Sequence, residues 1–343
     1  MILEIKKTLS IKYKYANYFI ILPLNITIPR KNRCYKNKNA KVVKYMKNNI
    51  AVIGLGSMGY GIASSCLRSG HLVWGSDTNI DQVTKFCKLG GQNSSLNTVI
   101  NDIDVVLVVV LNSTQTETVL FGEEGVVKKL RSGSVVISCA TVAPNFAKDM
   151  EKRCKEFGVL YLDAPISGGS VKAANGQLSI MASGTKEAFE AASAALKSIS
   201  ETVFELGDEA GAGSSMKAVN QLLAGVHIAV MAEALTFGIS QGISPEKFIE
   251  TISKCAGTSW MLENRAPHIA DGDYEPRSSI NIWPKDLGIV LDVAKDAKFN
   301  APITKVALDQ FSAAVDMGLG FEDDAAVAKV YAKSAKISLP QKT

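Results

Sequence analysis

The sequence has few of the residues from which metal sites and disulfide frameworks are built. Its six cysteines are scattered with no Cys-x-x-Cys pair, and its three histidines, at positions 71, 227 and 268, lack metal-ligand spacing. This pattern argues against a zinc site and against a disulfide-stabilised fold, so no metal cofactor is implied. Scattered cysteines also suit a reducing compartment, which favours a cytoplasmic protein.

A basic surplus is also missing from most of the chain, although the formal net charge is +5. Residues 1–47 hold 12 of the 38 lysines and arginines and one of the 33 acidic residues. Residues 48–343 therefore carry 26 basic and 32 acidic residues, a net charge of about −6. With that balance, nucleic-acid binding has little support.

The first 47 residues differ in composition from the rest and contain an apolar run from Tyr18 to Ile28. At ~11 residues this run is too short for a membrane span, which needs about 20. A signal peptide is disfavoured by Pro23 and Asn25 inside the run, whereas the basic composition suits an organelle transit segment. We favour a third interpretation, a non-native upstream extension, because Met46 lies directly before the first strand. In each case we expect residues 1–47 to be poorly ordered.

A strand, a glycine turn and a helix follow one another directly after this leader. The apolar run Ile50 to Ile53 suits a buried parallel strand, and Tyr60 to Ser69 has helical character. Between them stands the dinucleotide-binding pattern Gly54-Leu55-Gly56-Ser57-Met58-Gly59. Its first glycine allows a tight turn, its second lets the backbone approach a pyrophosphate, and its third lets helix and strand pack closely. The sequence therefore predicts a Rossmann domain.

The second predicted strand, Leu72 to Ser76, ends in Asp77, which lies 18 residues past Gly59. An acid at this strand end accepts hydrogen bonds from the adenosine ribose and repels a 2′-phosphate, which favours NAD over NADP. The alternative role for Asp77 is that of an N-cap for the following helix.

Further strands are predicted at Val105 to Leu111 and at Val135 to Ser138. Loops at the carboxyl ends of such strands line the cofactor crevice. Asn112 to Thr116 and Thr141 to Pro144 are therefore candidates for cofactor contact.

The pattern changes after the α/β alternation, first to a serine-glycine turn and then to a long helix. Ser167-Gly168-Gly169 offers a hydroxyl and main-chain N–H groups to a carboxylate, although a plain glycine turn explains it equally well. From Gly213 a helix is predicted to about Gln241, with Lys217 and Asn220 on one face. Apolar neighbours lower the pKa of a lysine and suit it to proton transfer, but most helix lysines are simply solvated.

Four segments, in this order and at these separations, resemble the β-hydroxyacid dehydrogenase family over residues 49–343. They are Gly54-Leu55-Gly56-Ser57-Met58-Gly59, Asp163-Ala164-Pro165-Ile166-Ser167-Gly168-Gly169, Gly213-Ser214-Ser215-Met216-Lys217-Ala218-Val219-Asn220, and Lys285-Asp286-Leu287-Gly288. Within the family the C-terminal half is most similar to the enzymes that act on L-threonate, through stretches such as Gln221 to Ala229 and Ser259 to Arg265.

The resemblance implies a role for each residue in these segments that carries chemistry. Lys217 is implied as the catalytic acid/base, with Asn220 and Asp286 as substrate contacts. Ser167, Gly168 and Gly169 would bind the substrate carboxylate. The implied cofactor contacts beyond the glycine turn are Asp77, Leu111, Asn112, Thr116, Thr141 and Lys285.

The expected function is therefore NAD-dependent oxidation of a small hydroxy sugar acid, with L-threonate as the favoured substrate. The alternatives are 3-hydroxyisobutyrate dehydrogenase, tartronate semialdehyde reductase, and a catalytically silent NAD-binding protein. The expected architecture is an α/β Rossmann domain over residues 48–210, joined by a long helix to an all-α domain over residues 211–343. The resemblance also implies a homodimer or homotetramer and predicts no membrane partner.

Overall fold

A computed structural model of the chain describes residues 47–342. The predicted leader, apart from Lys47, lies outside the described residues. The described chain is an α/β half with a parallel sheet, followed by a helical half, so the predicted fold class is confirmed. The division into two domains near residue 211 stays a prediction.

Five parallel strands form the main sheet of the first half. They are β1 (Asn49–Ile53), β2 (Leu72–Ser76), β3 (Val105–Val108), β4 (Val135–Ser138) and β5 (Leu160–Asp163), in the order β2-β1-β3-β4-β5. All four residues of β3 and of β4 are buried, as the continuous apolar runs of a parallel sheet require. The strand order reverses between β1 and β3, which places a ligand crevice at the carboxyl ends of these strands.

Helices connect these strands on both faces of the sheet. They are α1 (Gly59–Arg68), α2 (Ile80–Lys88), α3 (Leu96–Val99), α4 (Ser113–Phe121) and α5 (Pro144–Glu156). The third strand ends at Val108, three residues earlier than predicted. Beyond it the chain turns against the glycine loop, where a side chain on Gly54 would come within 2.2 Å of the Val109 carbonyl oxygen.

A second, smaller sheet follows, which the sequence analysis did not predict. Its elements are β6 (Ile166–Ser167), α6 (Gly169–Asn175), β7 (Leu178–Ala182), α7 (Lys186–Ile199) and β8 (Ser200–Glu205). Strand β7 pairs antiparallel with β6 and parallel with β8. An antiparallel bridge between Asp163 and Ser183 connects this sheet to the main one.

The second half is built around one long helix, α8 (Ala212–Ser240), close to its predicted span. The helices packed against it are α9 (Pro245–Ile252), α10 (Trp260–Ala270), α11 (Ile282–Asp296), α12 (Pro302–Asp316) and α13 (Ala328–Ala335). By length and composition, α8 is the one helix of the described chain that could cross a membrane. Half of its most apolar stretch is buried inside the protein, as in the core helix of a globular domain.

Candidate active site

The glycine turn after β1 has the tight geometry that its sequence predicts. Gly54 has a φ of +96°, which favours glycine, and its N–H donates to the Ser76 carbonyl oxygen at 2.8 Å. A side chain on Gly59 would come within 1.8 Å of the Gly54 carbonyl oxygen. Two of the three glycines are therefore required by contacts within the chain itself.

Gly56 differs, because no such contact requires it. Apart from its chain neighbours, no atom of the described chain lies within 4 Å of the position where its Cβ would stand. Helix α1 begins three residues later, with no side-chain cap and no acidic residue in its first turn within the described chain. An open glycine beside an uncapped helix N-terminus fits a bound pyrophosphate, whose oxygens accept from the main-chain N–H groups.

Asp77 lies directly beside this turn. One carboxylate oxygen accepts from the Leu55 N–H at 2.5 Å, and the other accepts from the Asn79 N–H at 2.7 Å. The N-cap of α2 is Asn79, whose side chain accepts from the Asp81 N–H, so the N-cap alternative for Asp77 is wrong. The half-buried carboxylate of Asp77 ties the end of β2 to the glycine turn.

The loop after β3 also lies at this edge of the sheet. Leu111 is half exposed, and Asn112 caps α4 by accepting from the Gln115 N–H at 2.9 Å. Thr116 is fully buried, and its hydroxyl donates to the Asn112 carbonyl oxygen at 2.9 Å. Thr116 therefore supports the loop from inside. Thr141, which follows β4, is partly exposed.

The serine-glycine turn lies where β6 meets α6. Gly168 and Gly169 have φ values of +135° and +78°, which other residues rarely adopt. Within residues 47–342, no hydrogen bond from the Gly168 N–H is found. No atom beyond the chain neighbours lies within 4 Å of a Cβ placed on Gly169. The turn is therefore open at Gly169, whereas a side chain on Gly168 would come within 3.0 Å of Lys172.

Lys217 lies in the second turn of α8, and its side chain reaches this serine-glycine turn. Its Nζ donates to the Ile166 carbonyl oxygen at 2.9 Å, one residue before Ser167. Only 8% of the residue is exposed. Burial lowers the pKa of Lys217 from 10.5 to about 8; Asp286 opposes this shift and Lys285 adds to it. The pKa of the lysine therefore lies closer to neutral pH than usual, beside the predicted carboxylate site.

Lys285 and Asp286, at the start of α11, complete the cluster. The buried Asp286 forms an ion pair with the Lys285 Nζ at 2.8 Å and accepts from the Gln221 Nε2 at 2.5 Å. Lys285 also donates to the Leu111 carbonyl oxygen at 2.7 Å, which connects α11 to the loop after β3. Residues from four separate elements are therefore linked around Lys217.

Known proteins are similar to this chain over most of its length. The NAD binding domain of 6-phosphogluconate dehydrogenase matches residues 49–207, and the family described as NAD-binding of NADP-dependent 3-hydroxyisobutyrate dehydrogenase matches residues 211–331. The L-threonate dehydrogenase of Cupriavidus necator is 45% identical over 287 residues, which is 83% of this chain and 97% of that protein. The chain belongs to the β-hydroxyacid dehydrogenase family.

Two further relatives of this dehydrogenase support the same assignment. The L-threonate dehydrogenase of Escherichia coli K12 is 41% identical over 294 residues, covering 85% of this chain and 96% of that protein. The crystal structure of a 3-hydroxyisobutyrate dehydrogenase from Salmonella typhimurium has a TM-score of 0.78 at 39% identity, covering 83% of this chain and all of that one. The predicted family and NAD cofactor are confirmed, and the protein is an NAD-dependent oxidoreductase.

Gln221 of this dehydrogenase is a member of the cluster that was not predicted from the sequence. It is buried and joins Asp286, whereas Asn220, predicted as the substrate contact, is only partly buried and donates to the Gln221 Oε1 at 2.9 Å. A signal was present, because residues four apart on a helix share a face as closely as residues three apart. Gln221 is four residues past Lys217.

Proposed function

We propose that this dehydrogenase oxidises L-threonate to 2-oxo-tetronate (2-dehydro-L-erythronate), with Lys217 as the general base. One observation carries the proposal: the Lys217 amine, with its pKa lowered to about 8, lies 2.9 Å from the main chain at Ile166, next to Ser167. Relatives that are 40–45% identical are named L-threonate dehydrogenases, and they support the choice of acid.

The cofactor would bind along the carboxyl edge of the main sheet. In this proposal the turn from Gly54 to Gly59 binds the pyrophosphate through main-chain N–H groups, and Asp77 accepts from the adenosine ribose. Candidate contacts on the nicotinamide side are Leu111, Asn112, Thr116, Thr141 and Lys285. When bound, NAD supplies the hydride acceptor for the carbon that bears the 2-hydroxyl. The burial of Thr116 favours an indirect role, in which it supports the Asn112 loop.

The substrate would bind between the serine-glycine turn and α8. The Ser167 hydroxyl and the N–H groups of Gly168 and Gly169 anchor the carboxylate, which places the adjacent 2-hydroxyl near Lys217. The Lys217 amine accepts the hydroxyl proton. Asp286 accepts from the Gln221 Nε2 through one oxygen and lies 2.8 Å from the Lys285 Nζ through the other, but this second, buried oxygen (Oδ1) has no hydrogen-bond partner within the described residues. One oxygen therefore holds the Gln221 side chain, and the unpartnered Oδ1 supports the direct substrate contact expected from the sequence.

Replacing Lys217 with alanine tests the base. We expect turnover of L-threonate to fall by ~10²–10⁴-fold, because general-base catalysis contributes rate enhancements of this size. NADH absorbance would report turnover, and titration with NAD would confirm that the variant still binds the cofactor. Near-full activity of Lys217→Ala would refute the assignment.

A second candidate is oxidation of 3-hydroxyisobutyrate, or the related reduction of tartronate semialdehyde. The structural similarity to a Salmonella typhimurium 3-hydroxyisobutyrate dehydrogenase favours it. A panel of L-threonate, D-erythronate, 3-hydroxyisobutyrate and glycerate separates the candidates by kcat/KM. If kcat/KM is highest with L-threonate, the proposal is supported. If kcat/KM is higher with another acid, that acid is the substrate and the proposal is wrong. If none of the four acids is oxidised, the alternative of a catalytically silent NAD-binding protein is supported instead.

The proposed enzyme is a homo-oligomer assembled through the outer face of α8. Five of the 18 exposed large apolar residues of the described chain lie on this face at heptad-like spacing: Met216, Val219, Leu223, Val230 and Phe237. The face points away from Lys217, so substrate binding does not account for it. The one acidic residue of α8 is Glu233, which is exposed. A second copy packed antiparallel covers the apolar residues and keeps the two Glu233 carboxylates apart.

Light scattering on the purified protein tests this assembly. We expect the wild type to be a dimer or tetramer and Leu223→Glu to dissociate, because the substitution buries a charge in the interface. Phe321→Glu is the control, since Phe321 is 84% exposed and lies off this face. A monomeric wild type, or a Leu223→Glu variant that stays assembled, would overturn the proposed interface.

The proposed location is the cytoplasm, where thiols stay reduced. The five cysteines in the described part of the chain are all unpaired, and burial raises the pKa values of Cys66, Cys139 and Cys154 to about 12. Cell fractionation that finds the enzyme outside the cytoplasm would contradict this assignment.

A further inference from the structure

A buried carboxylate lies at the point where the two sheets meet the start of α8. Asp163 is the last residue of β5 and is 1% exposed. Its Oδ2 accepts from the N–H groups of Gly211 at 2.9 Å and Ser214 at 2.8 Å, and its Oδ1 accepts from the Ser214 hydroxyl at 2.7 Å. The side chain therefore caps the N-terminus of α8 from a strand that is about 50 residues away in sequence.

Ser183 strengthens this junction from the smaller sheet. Its main chain pairs with that of Asp163 in both directions, at 3.0 and 2.8 Å, and its hydroxyl accepts from the Gly213 N–H at 2.9 Å. A side chain on Gly213 would come within 2.7 Å of the Asp163 carbonyl oxygen and 2.4 Å of the Met181 carbonyl oxygen. The first turn of α8 therefore packs directly on the strand ends.

The catalytic lysine lies one helical turn beyond this contact. Lys217 follows Gly213 by four residues, so both lie on the same face of α8. The Lys217 amine donates to the carbonyl oxygen of Ile166, three residues after Asp163. The segment from Asp163 to Ile166 therefore holds α8 at two successive turns, first by its carboxylate and then by its carbonyl oxygen.

We propose that Asp163 is a positioning residue for the reaction: its carboxylate clamps the first turn of α8 to the strand end and thereby sets Lys217 against the serine-glycine turn. The inference rests on the proposed function of Lys217 as the base. It assigns a role to the first residue of the Asp163 to Gly169 segment, which the sequence analysis left without one.

The charged groups around Lys217 and Asp163 indicate how loss of the Asp163 contacts would change the pKa of Lys217. Asp286 and Lys285 of α11 face Lys217, whereas Glu151 of α5 and Tyr161 of β5 face Asp163. Burial is the main cause of the lowered pKa of Lys217. If the first turn of α8 loosens, water reaches the lysine and its pKa rises toward the ordinary value.

Asp163→Asn is the test, because asparagine keeps the size of the side chain and removes its charge. We expect kcat/KM for the hydroxy acid to fall by about 10–100-fold, since small misplacements of a catalytic group have effects of this order. The acid limb of the pH–rate profile should move to higher pH, and KM for NAD should stay within about twofold. Ser214→Ala removes one of the hydrogen bonds to the Asp163 carboxylate. It should lower kcat/KM and move the acid limb to higher pH, each by less than Asp163→Asn does.

Thr185→Ala is the matched control, because the Thr185 hydroxyl caps α7, which does not carry Lys217. It should lower stability by about 1 kcal/mol and leave the acid limb unchanged. If Asp163→Asn lowers stability with no movement of the limb, Asp163 is merely structural. A limb that moves to lower pH would mean that Asp163 acts on Lys217 by its charge. Either result overturns the proposal.

Hydrogen exchange separates a failure of the clamp from a failure of the proposed function. Amides 211–217 should exchange faster in Asp163→Asn than in the wild type, and this measurement needs no substrate. If the wild type oxidises no hydroxy acid, the proposed function fails while the exchange experiment still tests the clamp. Unchanged exchange in this segment would overturn the clamp, whatever the activity.

Discussion

Burial of the Lys217 amine should cost the folded enzyme free energy that depends on pH. In Lys217→Met an apolar chain of similar length replaces the lysine, and Asp286 keeps its ion pair with Lys285. The pKa of Lys217 falls from 10.5 to about 8 on folding because burial disfavours the cation. The folded state therefore carries a cost at neutral pH that the methionine variant does not.

The size of this cost follows from the shift. One pKa unit corresponds to about 1.4 kcal/mol, so the drop to about 8 is worth about 3 kcal/mol at pH 7, where the lysine is protonated in the unfolded and mostly in the folded state. The cost is complete below pH 8 and disappears as the pH rises through 10.5, where the unfolded lysine also becomes neutral. At pH 10 about 1 kcal/mol should remain.

Urea denaturation of both proteins at pH 7 and pH 10, at equal protein concentration, measures this difference. We expect Lys217→Met to be inactive. Removing the buried amine should contribute a gain of about 3 kcal/mol at pH 7 that shrinks to about 1 kcal/mol at pH 10. The Ile166 carbonyl oxygen loses its donor, which offsets about 1–3 kcal/mol at both pH values. Titrating groups remote from Lys217 cancel because the two proteins share them. If the stability of the variant relative to the wild type is the same at both pH values, burial does not lower the pKa of this lysine.

Three further comparisons test the rest of the site. Asp77→Ala should narrow the preference for NAD over NADP, measured as the ratio of the two kcat/KM values, and an unchanged ratio would count against a ribose contact. Gly56→Ala should fold normally but weaken NAD binding about tenfold or more. Gly59→Ala should lower the unfolding free energy by about 1–3 kcal/mol, because its side chain would clash with the main chain at Gly54. Equal losses of unfolding free energy in the two variants would contradict this difference. Gln221→Ala should lower the unfolding free energy by about 1–3 kcal/mol because Asp286 loses a buried donor. Asn220→Ala, at a partly buried position, should lower it less, and the reverse order would contradict the proposed network.

Local patterns in the sequence predicted the cofactor half well. The turn from Gly54 to Gly59 and the position of Asp77 depend on neighbours within a few residues, and strand β2 begins and ends as expected. The smaller sheet was missed because β6 has two residues and β8 is largely exposed, so neither leaves a periodic apolar pattern.

The contacts among the candidate catalytic residues join parts of the chain that are far apart in sequence. The Lys217 amine and the Ile166 carbonyl oxygen are separated by 51 residues, and Gln221 and Asp286 by 65. No local pattern encodes such pairs, because each depends on how α8 packs against the strand ends and against α11. The sequence therefore predicted helix α8 and the face that carries Lys217, but it did not predict that packing buries Gln221 against Asp286.

By itself, the sequence determined that the protein has a dinucleotide turn, an acidic residue at the end of the second strand and a lysine on a long helix. It did so because turns, strand ends and helix faces follow from residues close together in the chain. Only the tertiary structure decided that Lys217 is buried with a lowered pKa, that Asp286 lies between Gln221 and Lys285, and that Asp163 caps α8. Burial and long-range hydrogen bonds exist only once distant segments pack together, and these set the chemistry of the lysine.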